Sequence, residues 1–304
     1  MKRIIALILG LVMVLVMAAT AAGEGAFTLT APGGAPAIAV ATLAQADPDH
    51  FTFVAADTIA AEFSKEEADF IIAPVNAGAK LYKAGKSSYR LAAVVTWGNL
   101  VFASQKEGFA LEDINGANVT LFGENTINAA IALYVMKEKG IEPAGVEYLA
   151  GAANTQQLLM TDPEAIVLTA EPAVTAAKIK NDKITAYALT DELKAIAGQD
   201  GFAQAGLFVK AGTLEEHPEE VRAFLETIRA AAGKAETEPE TVAAAAVALE
   251  ILPNEKVAMA AIPGCSVRYV DAREAKEAVE FTAGIDMTQF GGELPADEFY
   301  YDAE

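Results

Sequence analysis

The segment TLFGENTINAAIALYVMKEKG, from Thr120 to Gly140, indicates how the chain folds. An apolar stretch ends at Gly123, three polar residues follow, and apolar residues then recur at helical spacing from Ile127. The pattern predicts a strand that turns through 123–126 into a helix. Such a turn is a candidate binding site, because the first N–H groups of a helix have no partner within the helix and point outward. The alternative is that the turn only caps the helix.

The first 21 residues form a candidate signal peptide. Lys2 and Arg3 precede an apolar run from Ile4 to Met17, and small residues follow. This order is typical of secretory signals, and the run is shorter than the roughly 20 residues of a membrane-spanning helix. Ala19-Thr20-Ala21 fits a cleavage site, so we expect an exported protein, periplasmic or extracellular, that starts near Ala22. An uncleaved anchor is the alternative, and no cysteine follows the run as a lipoprotein would require.

The mature chain of about 280 residues is long enough for two domains or one bilobed unit. The whole chain carries a formal charge of −20, and loss of Lys2 and Arg3 with the signal would make it −22. This charge disfavours nucleic acid and anionic membranes as partners. Cys265 is the only cysteine. An intramolecular disulfide is therefore excluded, and we expect this thiol to be buried as a small apolar residue.

Strand-like and helix-like segments alternate along most of the chain, which predicts βαβ units in mostly parallel sheets. Two segments resemble each other: IIAPVNAGAKLY (71–82) aligns with TAEPAVTAAKIK (169–180), with Pro74 on Pro172. The repeat suggests two similar α/β lobes. Because ligands of open α/β sheets bind at the carboxyl ends of strands, two facing lobes would place several helix N-termini around one cleft.

Several motifs, in order along the chain, carry a resemblance to a known family. They are APGGAPAIA (31–39), FSKEEADFIIAPVNAGAKLYKAG (63–85), LEDINGANVTLFGENT (111–126), TAEPAVTAA (169–177), HPEEVRAFLETIRAA (217–231) and GGELPADEFYY (291–301). With them, the chain resembles the substrate-binding proteins of ABC transporters, in the branch that binds nitrate, sulfonates such as taurine, and thiamine-pyrimidine precursors. The resemblance covers nearly all of the mature chain.

The resemblance implies an α/β fold of two lobes, the type 2 periplasmic-binding-protein fold, with a ligand cleft between the lobes and two crossover strands. Lobe one would hold 24–108 and 205–304, and lobe two 109–204, with crossovers near VFASQKE (101–107) and AGLFVKAG (205–212). The implied function is an extracytoplasmic solute-binding protein of an ABC importer. It would be a monomer without cofactor, metal or catalytic residues, closing on a small molecule by hinge motion and delivering it to the permease.

Ligand contacts in this family come from the turns between strands and helices. The matching residues here are Gly33, Gly34, Ala35, Pro74, Asn76, Thr96, Trp97, Gly123, Glu124, Asn125, Thr126, Thr169 and Glu171. Gly123 would allow a tight turn and a close approach of the backbone to the ligand. Asn125 or Thr126 would cap the helix that follows.

These turns contain no Arg or Lys, and two of them contain carboxylates, Glu124 and Glu171. A site for nitrate or a sulfonate would gain from a cationic partner. The sequence therefore favours a small neutral, zwitterionic or amine-bearing organic ligand, such as a nitrogen heterocycle that stacks on Trp97. Two structural alternatives remain: Trp97 packs in the core, and Glu171 serves the helix start, where the helix dipole favours a carboxylate.

Two other functions stay open. An exported enzyme on the same fold could use carboxylates of the cleft for acid–base chemistry, and a sensory module could use the cleft to detect a ligand. Few side chains suit metal or nucleophilic chemistry: His50 and His217 lie in polar segments, and Cys265 stands alone. G-x-S-x-G, H-E-x-x-H and P-loop motifs do not occur in the sequence.

Overall fold

The computed structural model describes residues 27–302, so the predicted signal peptide (1–21) lies outside the described residues. Two β-sheets form the centres of two lobes. The first sheet contains β1 (Leu29–Pro32), β2 (Phe51–Val54), β3 (Phe70–Pro74), β4 (Arg90–Thr96), β10 (Ala205–Val209) and β11 (Val267–Asp271). The second contains β5 (Leu100–Ser104), β6 (Asn118–Phe122), β7 (Gly145–Leu149), β8 (Ile166–Ala170) and β9 (Thr185–Ala188).

Helices connect the strands and cover the sheets. The helices between β1 and β10 are α1 (Ala35–Ile38), α2 (Ala41–Ala46), α3 (Ile59–Lys65), α4 (Val75–Lys83), α5 (Ile127–Glu138), α6 (Ala152–Thr161), α7 (Ala173–Lys180) and α8 (Leu189–Ala197). The C-terminal part adds α9 (Ala211–Glu216), α10 (Pro218–Thr237), α11 (Pro239–Ala248), α12 (Glu255–Ala261) and α13 (Lys276–Ile285). Short 3-10 turns lie at Pro48–His50, Leu111–Ile114, Ile262–Cys265, Met287–Phe290 and Asp297–Phe299.

Local sequence accounts for several helix boundaries. Pro218 begins α10 and two glutamates follow it in the first turn, where a fixed φ and negative charge are favourable. The side chain of Asn254 caps α12 by accepting the N–H of Val257 at 3.0 Å. Gly198 ends α8 in the left-handed region, with φ 69°.

In the first sheet the strand order is β11-β4-β10-β3-β1-β2. β1 is parallel to β2 and β3, and β10 is antiparallel to both β3 and β4. The strands β1 to β4 therefore point the same way, and their carboxyl ends lie along one edge. In the second sheet the order is β7-β6-β8-β5-β9, and the same argument places the carboxyl ends of β6 to β9 along one edge, beside the start of β5.

The chain passes between the sheets twice, from Thr96 to Leu100 and from α8 to β10. The segment 101–104, predicted to lie in a crossover, belongs to β5, which pairs with β8 and β9 of the second sheet. The segment 205–209 forms β10, which lies between β3 and β4 in the first sheet. The division of the chain into lobes at residues 108 and 205 stays a prediction. β5 lies before residue 108, in the part of the chain predicted for lobe one, but it pairs with strands of the second sheet.

One buried apolar cluster is shared by the two sheets. It contains Phe208 of the first sheet and Phe102 of the second, with Trp97 and Phe202 between them. The lobes also meet at two places away from the crossovers, because α12 packs against α7 and α13 packs against α5. In the second contact the rings of Tyr134 and Phe281 meet edge to face.

Between residues 27 and 302, no helix combines the length and the apolar character needed to span a membrane.

Candidate functional site

The two carboxyl edges meet at the first crossover. Thr96 ends β4, and Leu100 begins β5, so only three residues separate the two sheets here. Ala205 pairs with both Pro74 and Thr96, and Leu100 pairs with Ala170. The strand-to-helix turns that the sequence singled out therefore lie along the two edges that flank this crossover.

The turn after β1 borders open space. Gly34 has φ 93°, a conformation that favours glycine, and α1 begins directly after it at Ala35, which is buried. A Cβ atom built on Gly33 or Gly34 would have no heavy atom within 4 Å. Both glycines thus leave backbone accessible at the edge of the first sheet.

The turn after β3 leaves a buried polar atom without a partner. Pro74 ends β3 and α4 begins at Val75, whose N–H donates to the carbonyl of Gln204 at 3.0 Å. The next residue, Asn76, has a buried Oδ1 with no hydrogen-bond partner among residues 27–302. Buried polar atoms are nearly always paired in folded proteins, so such an atom calls for an explanation.

The turn after β6 contains two residues with a left-handed backbone conformation. Gly123 and Asn125 adopt positive φ, 71° and 57°, and Glu124 is exposed. Thr126 occupies the position before α5, as predicted for a cap, but its hydroxyl donates to the carbonyl of Gly123 at 2.6 Å and accepts no helix N–H. Thr126 is therefore the N-cap residue by position, as predicted, but its hydroxyl closes the turn and pairs with no N–H of the helix. Asn128, in the first turn of α5, has a buried Oδ1 with no partner in the described part of the chain.

The side chains of Thr169 and Glu171, in the turn after β8, are hydrogen-bonded within the protein. Thr169 is buried, and its hydroxyl donates to the carbonyl of Ala152 at 3.3 Å. The carboxylate of Glu171 accepts the hydroxyl of Thr175 at 2.8 Å and its N–H at 3.3 Å, so Glu171 caps the first turn of α7. Burial raises the pKa of Glu171, although the hydrogen bonds from Thr175 and the charge of Lys178 oppose this.

Glu171 also contacts the other lobe. A Cβ atom built on Gly264, in the 3-10 turn Ile262–Cys265, would lie 2.9 Å from Cγ of Glu171. Cys265 is buried as expected, and burial, with the nearby charge of Glu171, raises its pKa so that the thiol stays protonated.

Trp97 is packed at the crossover. Its side chain is 6% exposed, its indole N–H donates to the carbonyl of Arg268 at 2.9 Å, and the guanidinium carbon of Arg268 lies 4.5 Å from the ring centroid. Thr96 is fully buried, and its hydroxyl accepts the N–H of Ala205. The strand-to-helix turns predicted to bind the ligand contain no Arg or Lys. In the folded protein, however, β11 places the guanidinium of Arg268 next to Trp97.

A cavity of about 540 Å³ lies on this flank of the crossover, between α8 and the start of β11. Its lining includes Trp97, Thr190, Lys194, Ser266 and Arg268. Trp97 is the only residue of the predicted ligand set in that lining.

Two residues that the sequence did not single out connect the lobes. The side-chain amide of Asn99 donates to the carbonyl of Glu171 at 2.6 Å, and its Oδ1 accepts the amide of Gln204 at 2.8 Å. Oε1 of Gln204 is buried and has no partner within residues 27–302. No local pattern marks Asn99 or Gln204, because their partners lie 72 and 105 residues away along the chain.

The histidines lie outside this site. Nδ1 of His50 is hydrogen-bonded to Asp47 at 2.9 Å on an exposed turn, and the ring of His217 contacts Phe27. Within the described residues, no group of three or more His, Cys, Asp or Glu side chains is placed to hold a metal ion.

Two α/β lobes that are joined by two crossovers, with strand-to-helix turns at the adjoining edges of the two sheets, define a bilobed α/β fold. Residues 90–242 match the family described as NMT1/THI5 like, and the protein belongs to this family. Its fold is that of ABC transporter substrate-binding proteins. None of the curated proteins compared with the chain matches it significantly.

Several solved structures have a similar fold. An ABC transporter protein from Parabacteroides distasonis is 21% identical, with a TM-score of 0.77 over 92% of this chain and 100% of that one. The periplasmic aliphatic sulphonate binding protein SsuA from Escherichia coli is 12% identical, with a TM-score of 0.72 over 92% and 93%. A DszB variant in complex with biphenyl-2-sulfinic acid is 12% identical, with a TM-score of 0.59 over 90% and 96%. Since DszB is an enzyme, the fold alone does not separate binding from catalysis.

Proposed function

We propose that the protein is the substrate-binding component of an ABC import system for a small organic solute. It captures the solute between its lobes by hinge closure and delivers it to the membrane permease. The observation that carries this proposal is the set of buried amide oxygens, on Asn76, Asn128 and Gln204, that have no partner among residues 27–302 and belong to the facing strand ends. Membership in the NMT1/THI5-like family and the shared fold of substrate-binding proteins support it.

The ligand would be held by groups from both lobes. From lobe one we assign Gly33, Gly34, Ala35, Pro74, Asn76 and Thr96, and from lobe two Gly123, Glu124, Asn125, Thr126, Thr169 and Glu171, with Trp97 at the crossover. Contacts away from the crossover, between α12 and α7, favour an arrangement in which the lobes approach each other around the cleft.

The geometry around the reactive side chains favours binding over catalysis. Cys265 is buried with a raised pKa, and Glu171 already caps α7. Export through the N-terminal segment and action as a monomer are part of the same proposal, since delivery to a permease requires a free face on each lobe.

The experiment is thermal unfolding of the chain from Ala22 onward against amino acids, polyamines, pyrimidines, sulfonates, nitrate and bicarbonate. A ligand at 100 times its Kd adds about 2.7 kcal/mol to stability, which raises the Tm of a chain this size by about 5 °C or more. A compound that raises the Tm and is recovered unchanged supports a transport receptor. Chemical conversion of that compound would establish an enzyme instead.

A further inference from the structure

Gln204 is fixed in place at the second crossover. Its N–H donates to the carbonyl of Thr96 at 3.1 Å, and its carbonyl accepts the N–H of Val75 at 3.0 Å. The backbone is thus held between β4 and the start of α4. Its side chain therefore starts from a defined position at the carboxyl edge of the first sheet.

The hydrogen bonds of Asn99 determine which end of the Gln204 amide is free. The carbonyl of Glu171 only accepts, so the group of Asn99 that contacts it at 2.6 Å is the NH₂. Asn99 then offers its oxygen to Gln204, and Gln204 offers its own NH₂ to that oxygen at 2.8 Å. A flipped amide at either residue would place two donors or two acceptors against each other. Oε1 of Gln204 is therefore the end that points away from Asn99.

That oxygen is buried and has no donor among residues 27–302. A buried acceptor without a donor costs roughly 1–3 kcal/mol. Asn76, next to Val75, and Asn128, on the facing edge, also carry buried oxygens without partners. Among residues 27–302 their amides make no hydrogen bond that fixes them, so each can present either its oxygen or its NH₂. Gln204 alone is committed to accepting.

We propose that the cleft ligand carries an N–H donor, in an amine or an amino-substituted heterocycle, and that this donor binds Oε1 of Gln204. The inference rests on the proposed function and specifies its substrate class. Nitrate and the sulfonate group offer only acceptors, so neither can satisfy this oxygen. Asn76 and Asn128 then adapt to the rest of the ligand.

The test uses matched probes that differ by one amino group: 4-aminopyrimidine against pyrimidine, and taurine against ethanesulfonate, with nitrate as a simple oxyanion. Binding is measured by thermal shift and calorimetry on the chain from Ala22. We expect an amine-bearing probe to bind and its partner without the amine to bind at least tenfold more weakly. Gln204→Met should weaken the amine-bearing probe at least tenfold, equivalent to about 1.4 kcal/mol.

Gln105→Met is the matched control. Gln105 is also half-buried, but both ends of its amide are paired, with the carbonyl of Leu159 and with the amide of Asn181 at 2.7 Å. Its replacement should lower the Tm and leave the Kd of the probe within twofold. A merely structural role for Gln204 would give the same pattern as Gln105.

The outcomes separate the inference from the proposed function. If ethanesulfonate, pyrimidine or nitrate binds as tightly as the amine-bearing probes, or if Gln204→Met retains full affinity, the donor requirement is rejected and a solute-binding function stands. If none of the five probes binds, the inference is rejected, and the broader panel decides the proposed function separately.

Discussion

The turns β3–α4 and β8–α7 align in sequence, yet the structure uses them differently. In both, a helix begins directly after a proline, which is the last residue of β3 in one turn and lies two residues beyond the end of β8 in the other. After β8, Glu171 binds Thr175 in its own helix, Asn99 in the crossover and the Gly264 region of the other lobe. After β3, the oxygen of Asn76 is buried without a partner in the described chain.

The difference shows how one local pattern can serve either the fold or a ligand. A polar group that finds its partners within the protein stabilises the fold, and its loss should be measured as lost stability. A polar group buried without partners lowers the stability, so its loss should be measured as lost binding without lost stability. Glu171 has the protein partners of the first kind and Asn76 is of the second, although we assign both residues to the same ligand site.

The largest effect is expected at the link between the crossovers. Asn99→Leu removes the donor to the Glu171 carbonyl and the acceptor of the Gln204 amide, which leaves two largely buried groups unpaired. We expect a loss of about 3 kcal/mol in the free energy of unfolding, measured by urea denaturation. Asn115→Leu is the control, because its oxygen accepts one exposed N–H, from Glu142. An equal loss in both variants would contradict the role of Asn99.

A smaller effect is expected where Glu171 meets the other lobe. Gly264→Val places a side chain against Cγ of Glu171, where even a Cβ would lie 2.9 Å away. Overpacking of this kind costs about 2 kcal/mol, and relief by Glu171→Ala in the same chain would identify the clash. Gly284→Val, where a Cβ would meet no atom within 4 Å, is the control. Urea denaturation and small-angle scattering would report the stability and the separation of the lobes.

Replacing one polar side chain at each of the turns β8–α7 and β3–α4 tests the difference between them directly. Thr175→Val removes a hydrogen bond to a carboxylate and should cost about 1.5 kcal/mol of stability. Asn76→Leu removes no hydrogen bond within residues 27–302 and eliminates a buried oxygen without a donor, so it should not lower the stability, while it weakens ligand binding. Urea denaturation without ligand measures both. A loss at Asn76 as large as that at Thr175 would mean that its oxygen has a stabilising role.

The smallest effect is a dependence on pH. Burial raises the pKa of Glu171 in the folded protein above its value in the unfolded chain. The folded state therefore binds the proton more readily, and wild-type stability falls as pH rises through the raised pKa. Relative to wild type, Glu171→Gln should gain stability as the pH rises from the ordinary pKa of a glutamate, about 4.3, towards neutrality. Urea denaturation across this range tests the trend, with the exposed Glu124→Gln as the matched variant, and a constant difference would contradict it.

Much of the fold could be predicted from local pattern. The strand, turn and helix of 120–140 are present as β6 and α5, and the two-lobed α/β fold is confirmed. The pairing of β5 with β8 and β9 could not be predicted from local pattern, because it depends on backbone hydrogen bonds to distant strands. The N-cap position of Thr126 was predicted, but the partner of its hydroxyl was not, because a threonine hydroxyl can donate to the preceding turn as well as accept from the helix.

The sequence by itself determined the order of strands and helices, the family and the positions of the turns, because these depend on periodicity, glycine, proline and short motifs. Only the tertiary structure decided which polar groups are paired. Arg268 reaches Trp97 across 171 residues of chain, and Gln204 reaches Asn99 across 105. Hydrogen-bond satisfaction depends on partners that folding brings together, so the groups left free for a ligand emerge only when both edges of the cleft are in place.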